Sequence, residues 1–168
     1  MPRFSAVTDA DRSALTAIVG AAYVVTRREA LLPFGRDETE DLQYLPEVAV
    51  RPGSTEEVSK VLAHAHERRI PVTPRGAGSG LSGGALPVHG GIVLSLDRLN
   101  RILDVDEANL MCVVQPRVIT AVLQEEVHKR GLYYPPDTAS RGFCMIGGDS
   151  VVRQDPLRSC VEIHIRGR

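Results

Sequence analysis

The fold is indicated by one stretch of the sequence, Pro74-Arg75-Gly76-Ala77-Gly78-Ser79-Gly80-Leu81-Ser82-Gly83-Gly84. Five of the nine residues from Gly76 to Gly84 are glycine. Glycine tolerates positive φ and carries no Cβ, so successive backbone N–H groups of such a loop can converge on an anion. Ser79 and Ser82 add hydroxyl donors. The stretch predicts a phosphate-binding nest, and the alternative of a flexible surface loop is less favoured because a strand leads into it through Pro74-Arg75.

Two better-known phosphate motifs do not fit this loop. The ATPase P-loop ends in Gly-Lys-Ser/Thr, and the sequence contains no lysine between Lys60 and Lys129. A GxGxxG pattern begins at Gly78. In a dinucleotide-binding Rossmann domain this glycine loop leads directly into a helix, whereas here further glycine and proline residues follow as far as Gly91. A nest between two strands is the interpretation that remains, with pyrophosphate as the favoured ligand.

The segments around the loop alternate between strand-like runs and helical periods. Ser54 and Glu57 form a capping box that opens a helix ending near Arg68 or Arg69. A short amphipathic helix is predicted over residues 9–25, and a further helix over residues 119–127 is stopped by Gly131. Strands are predicted at 48–50, 70–74, 92–96, 101–105 and 110–115. This order favours a mixed α+β domain over a repeating parallel sheet.

Composition narrows the class of protein. The chain has 168 residues, 43% of them hydrophobic, which suits one compact domain. A net charge of -1 without a basic run makes nucleic acid an unexpected partner. No apolar stretch has the length of a membrane span and the N-terminus lacks a signal-type core, so we expect a soluble, cytoplasmic protein. The three cysteines contain no CxxC pair and are expected to be reduced and mostly buried.

Neither the histidines nor the acidic residues predict a metal site. His64 and His66 lie two residues apart on a helix, so they point to different faces, and we expect both at the surface. An acidic cluster over residues 37–41 is interpreted as a solvated loop.

A second segment of interest follows the last predicted helix. It reads Tyr133-Tyr134-Pro135-Pro136-Asp137-Thr138-Ala139-Ser140 and continues to Cys144-Met145-Ile146-Gly147-Gly148. Its prolines stiffen the backbone, Asp137 and Ser140 can hydrogen-bond a ligand or the backbone, and the glycine pair permits close approach by a planar group. From these residues alone, a ligand contact and a plain proline-rich turn are equally supported.

Three motifs together resemble a known family. The stretch 50–58, the glycine loop and Tyr134-Pro135-Pro136-Asp137 resemble the FAD-linked oxidases of the vanillyl-alcohol-oxidase type, which carry a PCMH-type FAD-binding domain. Within that family they are most similar to the glycolate oxidase FAD subunit and the D-lactate dehydrogenases. The resemblance extends from about Ala14 to Gly148.

The resemblance implies a fold, a cofactor and a set of contacts. The fold is the first subdomain of a PCMH-type domain, α+β with a small mixed sheet flanked by helices. FAD is the implied cofactor, with its pyrophosphate held by backbone amides of the loop from Arg75 to Ser82. The implied contacts in the later segment are Pro136, Asp137, Ser140, Ile146, Gly147 and Gly148. In such enzymes the α-hydrogen of a 2-hydroxy acid passes as hydride to the flavin, and no catalytic residue is assigned to this chain.

The sequence departs from the family pattern at Arg117, Phe143 and Asp149, and residues 149–168 match nothing expected of the family. We therefore divide the chain into an N-terminal helical appendage (1–44), an incomplete FAD-binding domain (45–148) and a tail (149–168). We expect a fragment that is inactive alone and prone to self-association. The alternatives are a non-catalytic remnant or interaction module, and a fragment of a related FAD oxidase acting on a sugar or aromatic alcohol.

Overall fold

The computed structural model describes residues 4–136, 141–147 and 161–167. The chain divides into two compact units, Met1–Arg98 and Leu99–Arg168, and each is considered by itself.

The first unit is built on a four-stranded mixed sheet in the order β1-β2-β4-β3. The strands are β1 (Val24–Val25), β2 (Val48–Val50), β3 (Val72–Arg75) and β4 (Ile92–Ser95). β2 and β3 both run parallel to β4, and β1 pairs antiparallel with β2. β2 and β4 are central and buried at every position, as their runs of apolar residues predict. β3 lies at an edge, where the missing N–H of Pro74 is tolerated.

Three α-helices belong to this unit, namely α1 (Asp9–Val19), α2 (Arg28–Leu31) and α3 (Thr55–Arg68). The prediction for α3 is confirmed, with the Ser54 hydroxyl accepting from the Glu57 N–H at 3.2 Å. The capping box is only half formed, because the Glu57 carboxylate accepts from the Gly53 N–H at 2.7 Å rather than from Ser54. The predicted extension of the first helix to residue 25 is wrong, since α1 ends before Gly20, whose φ is 88°.

A buried carboxylate joins α1 to α3. Asp11 accepts from the Thr8 hydroxyl at 2.6 Å, and its other oxygen lies 3.0 Å from both His64 Nε2 and Arg68 Nε. Burial opposes ionisation of Asp11, but the hydrogen bonds from Thr8 and Arg68 outweigh it and hold the pKa of this carboxyl well below its usual range. The expectation that His64 is a surface residue is wrong, because its side chain is mostly buried against Asp11.

The second unit contains the helix α4 (Thr120–His128), and Ile146 and Gly147 are also helical. A three-stranded antiparallel sheet is formed by β5 (Ile102–Asp106), β6 (Met111–Val114) and β8 (Val161–His164), and β7 (Leu132–Tyr133) pairs with β9 (Arg166–Gly167). The core is made by apolar side chains of β6, α4 and the segments after it, including Cys112, Val114, Leu123, Val127 and Ile146. The predicted strands at 101–105 and 110–115 and the helix at 119–127 are confirmed to within a residue or two.

The proposed divisions at residues 44 and 148 remain predictions. Residues assigned to the appendage form α1 and β1, and β1 belongs to the sheet of the first unit. Residues assigned to the tail form β8, which pairs with β6.

Removing the charge of Asp11 tests the link between α1 and α3. We expect Asp11→Asn to lower the free energy of unfolding by about 1–3 kcal/mol at neutral pH, because a charged acceptor of buried hydrogen bonds is lost. The folded-state pKa lies below the unfolded value of about 4, so this stabilisation is complete above about pH 4 and is lost as the pH falls further. Urea denaturation at several pH values measures it. Asp9→Asn is the control, because Asp9 is exposed and its pair with Arg12 contributes little; equal effects of the two variants would contradict the assignment.

The turn before β4 requires a glycine at position 91. Gly91 has a φ of 66°, and a Cβ there would collide with the carbonyl oxygen of Pro71. We expect Gly91→Ala to destabilise the chain by about 2–4 kcal/mol, through backbone strain together with overpacking. Gly90→Ala is the matched control for Gly91→Ala, because Gly90 has a similar φ of 70° but a Cβ there would make only ordinary contacts with Glu47. For Gly90→Ala we expect only about 1 kcal/mol of backbone strain. Equal decreases in the melting temperature of the two variants would contradict the collision with Pro71.

Candidate functional site

The glycine-rich loop begins where β3 ends. Arg75 is the last residue of β3, aligned with Ser95 of β4, and the loop residues after it run to Gly91 without a helix or strand. The loop therefore starts at the carboxyl end of a parallel strand, the end at which ligands bind in open α/β sheets. Its exposed residues include Gly76, Ala77, Gly80, Leu81 and Ser82.

Four of the five glycines of the loop fall into two groups. Gly78 and Gly83 each have a φ of 73°. Glycine adopts this backbone conformation without strain, so the conformation alone explains glycine at these two positions. Gly80 and Gly84 do not have a positive φ, and a Cβ built on either of them would meet no atom within 4 Å. No contact in the first unit explains why Gly80 and Gly84 are glycine.

The backbone amides of the loop are available to an external acceptor. Within the part of the chain that the structure describes, the N–H groups from Gly76 to Ser82 donate to no protein acceptor. The first amide of the loop that is engaged belongs to Gly83, which donates to Thr39 Oγ1 at 2.8 Å. Backbone donors normally find a partner in protein, water or ligand, and the nest that the sequence predicts at these amides remains a prediction.

The guanidinium of Arg75 packs against the loop at Gly78. Its Nη1 donates to the Arg36 carbonyl at 2.6 Å, and the group stands over the α-carbon of Gly78, where a Cβ would collide with it. Burial lowers the pKa of Arg75, while the negative charge of Asp37 acts in the opposite direction. Arginine remains protonated under such shifts, so the loop carries a fixed positive charge.

The acidic segment before β2 was expected to be a solvated loop, but part of it packs on the glycine loop. The Glu38 N–H donates to the Gly80 carbonyl at 3.1 Å. Asp37 accepts from the Thr39 N–H at 3.0 Å, and its Oδ2 is buried without a hydrogen-bond partner among the described residues. The sequence signal for this turn is the Asp37-x-Thr39 pair, because aspartate accepts readily from the amide two residues on.

The later segment belongs to the second unit. Pro136 is exposed, and its carbonyl accepts from Gln124 Nε2 at 2.8 Å. Ile146 is fully buried in the core, and its N–H donates to the Val118 carbonyl at 2.9 Å. Gly147 donates to the Pro116 carbonyl at 2.8 Å, and a Cβ at this glycine would press on Pro116. Asp137, Ser140 and Gly148, which the sequence also singled out, lie outside the described residues.

The structure describes two of the three departures from the family pattern, and both lie in the second unit. The Phe143 ring is 59% exposed, so it points away from the core. Arg117 donates its N–H to the Leu99 carbonyl at 2.8 Å, while its Nε is buried with no partner among the described residues. Asp149, the third departure, lies outside those residues.

Other kinds of site receive no support from the described residues. Among them, no group of three or more His, Cys, Asp or Glu side chains is placed to hold a metal ion. Burial raises the pKa of the Cys112 thiol to about 11, which suits a packing role in β6. In the same ranges, no helix combines the length and apolar character needed to cross a membrane.

Comparison with known proteins identifies relatives of this chain. The chain is 42% identical over 118 residues to the glycolate oxidase subunit GlcD of Bacillus subtilis, covering 70% of this chain and 25% of that protein. It is 38% identical over 125 residues to a D-lactate dehydrogenase of Anaerostipes hadrus, covering 72% and 26%. The chain thus spans about a quarter of the length of these curated relatives.

The fold is also shared with a solved structure. The structure of p-cresol methylhydroxylase with substrate bound matches 86% of this chain and 30% of its own, with a TM-score of 0.72 at 21% identity. The predicted fold class, mixed α+β of the PCMH type, is confirmed. A family model described as an FAD binding domain matches residues 46–151. The chain therefore belongs to this family of FAD-binding domains, whose cofactor is FAD.

Proposed function

We propose that the chain binds FAD through the loop from Arg75 to Ser82, as part of a flavin-dependent oxidoreductase acting on a 2-hydroxy acid of the glycolate or D-lactate type. The observation that carries the proposal is the row of loop amides without a protein acceptor. The substrate class is supported by the names of the two relatives, both of which denote enzymes of small 2-hydroxy acids.

The loop fits a pyrophosphate in three respects. Its amides from Gly76 to Ser82 are donors, and a doubly charged anion is their natural acceptor. Gly80 and Gly84 leave open space where any other residue would place a Cβ, which allows phosphate oxygens to approach the backbone closely. Arg75 adds positive charge within the loop. Ser79 and Ser82 bring hydroxyl donors to the same stretch.

The contacts proposed for the later segment are tested separately from the loop. Pro136, Ile146 and Gly147 are proposed cofactor contacts, together with Asp137, Ser140 and Gly148 outside the described residues. The side chain and N–H of Ile146 are engaged within the second unit, so the proposal assigns its carbonyl oxygen to the cofactor. The packing of Gly147 on Pro116 holds this backbone in place.

The contribution of this chain to the reaction is binding and orientation. FAD, when bound, supplies the chemistry by accepting a hydride from the substrate. The residues proposed here hold its pyrophosphate and fix the position of its ring, and none of them is assigned a proton transfer. We expect no turnover of a 2-hydroxy acid by this chain alone, and we assign the protein to the cytoplasm as part of the same proposal.

An FAD titration of the purified chain tests the proposal. We expect added FAD to change its visible absorbance on binding and to raise the melting temperature of the protein, because a ligand that binds the folded state stabilises it. Gly80→Ala should weaken FAD binding by about tenfold or more, equivalent to roughly 1.4 kcal/mol. Its own melting temperature without FAD should stay close to that of the wild type, since its Cβ meets no protein atom.

Gly131→Ala is the control for general destabilisation. Gly131 has a φ of 72° and lies outside the proposed contacts, so this variant should lose some stability and keep its affinity for FAD. A folded wild-type chain that leaves the FAD spectrum unchanged would contradict the proposal and favour a non-catalytic module.

Self-association is the remaining part of the proposal. Several large apolar side chains of the second unit are exposed, namely Leu103, Leu110, Val122, Tyr133 and Phe143. Exposed apolar surface of this kind favours association in water. We expect size-exclusion chromatography at micromolar concentration to show species larger than a monomer. A sharp monomer peak would contradict self-association.

A further inference from the structure

A short segment before β2 holds the glycine loop at two points. We call this segment, residues 36–39, the clamp. The clamp amide of Glu38 donates to the Gly80 carbonyl at 3.1 Å, and the clamp hydroxyl of Thr39 accepts from the Gly83 N–H at 2.8 Å. The two bonds thus engage the loop on either side of Leu81 and Ser82.

The clamp is itself anchored. Asp37 Oδ1 accepts from the Thr39 N–H at 3.0 Å, which closes a turn within the segment. On the other side, Arg75 Nη1 donates to the Arg36 carbonyl at 2.6 Å. The clamp is therefore fixed both by its own turn and by the residue that enters the loop, so it can impose a conformation on the glycines.

The bond to Gly80 determines which way the next amide points. All described peptide bonds are trans, and in a trans peptide the C=O and the following N–H point in opposite directions. Since the Gly80 carbonyl faces the clamp, the Leu81 N–H faces away from it. A glycine peptide rotates easily when nothing holds it, and the clamp prevents that rotation at the centre of the loop.

We infer that Thr39 is a positioning residue for the bound pyrophosphate. This inference rests on the proposed function of the loop and deepens it. Thr39 acts through the loop: its hydroxyl holds Gly83, so that the amides before Gly83 keep one arrangement before the ligand arrives. Donors that are already oriented bind an anion more tightly, because less ordering is required on binding.

Thr39→Val tests the inference, because valine keeps the shape of threonine and removes the acceptor for the Gly83 N–H. We expect its affinity for FAD to fall by about tenfold, the equivalent of one hydrogen bond of about 1.4 kcal/mol. Thr39→Ser keeps a hydroxyl and should restore affinity to within about threefold of the wild type. Thr26 is exposed and directly follows β1, at the opposite edge of the sheet from β3, so Thr26→Val makes the same chemical change away from the loop and should leave the affinity unchanged.

Amide hydrogen exchange of the FAD-free proteins provides a second measurement. We expect the Gly83 amide to exchange faster in Thr39→Val than in the wild type, while the amides of β4 keep their protection. This pattern separates local loosening of the loop from loss of the fold, and serine at position 39 should reverse it.

The outcomes separate this inference from the proposed function. If the wild type binds FAD and Thr39→Val binds it equally well, the positioning role is overturned and the function stands. A Thr39→Val protein that does not fold, or a serine variant as weak as the valine variant, also overturns it, since Thr39 would then act through packing. A folded wild type that does not bind FAD overturns both.

Discussion

The parallel pairing of β3 with β4 is the constraint on which the rest of the first unit depends. Two parallel strands cannot be joined by a tight turn, because the chain must return from the carboxyl end of one strand to the amino end of the next. Such crossovers usually contain a helix. Here the crossover from Gly76 to Gly91 contains neither helix nor strand in the structure, so its backbone groups lack the partners that a helix would give them.

An irregular crossover of this length must find partners for its backbone by other means. Part of the solution is local, with Leu86 bonded to the Gly83 carbonyl and Gly90 to that of Pro87. Another part comes from the clamp, which engages the loop at Gly80 and Gly83. The amides from Gly76 to Ser82 are left without an acceptor among the described residues. The row of unengaged amides thus follows from a topology that requires a long connection and a sequence that keeps a helix from forming in it.

The elements with strong local patterns could be predicted from the sequence. The stripe of Val58, Val61 and Ala65 and the Ser54 cap define α3, and the apolar runs define β2 and β4, because these signals lie within a few neighbouring residues. β1 has only two residues, too few for a periodic pattern. The bond of His64 to Asp11 spans 53 residues, and no local pattern encodes a pairing over that separation.

The candidate site was predictable to the same extent. The density of glycine identified the loop. The contact between the loop and the clamp joins residues 44 positions apart, and the sequence predicted only a solvated acidic run where the clamp lies. The amide of Glu38 makes one of the two clamp bonds, and a backbone donor leaves no trace in residue identity. The structure also assigns Ile146 and Gly147 clear packing roles, which spacing alone did not distinguish from ligand contact.

The structure separates glycines that the fold requires from glycines that it does not require. Gly91 and Gly147 are explained by the fold, since a Cβ at either would strike Pro71 or Pro116. Gly78 and Gly83 are explained by positive φ. Gly80 and Gly84 are explained by neither, although glycine at an exposed position carries an entropic cost on folding. In the sequence all six look alike. No described contact in the first unit requires the missing side chains at 80 and 84. The proposed ligand, lying against the backbone there, accounts for both glycines, and the unengaged amides from Gly76 to Ser82 favour an anion as that ligand.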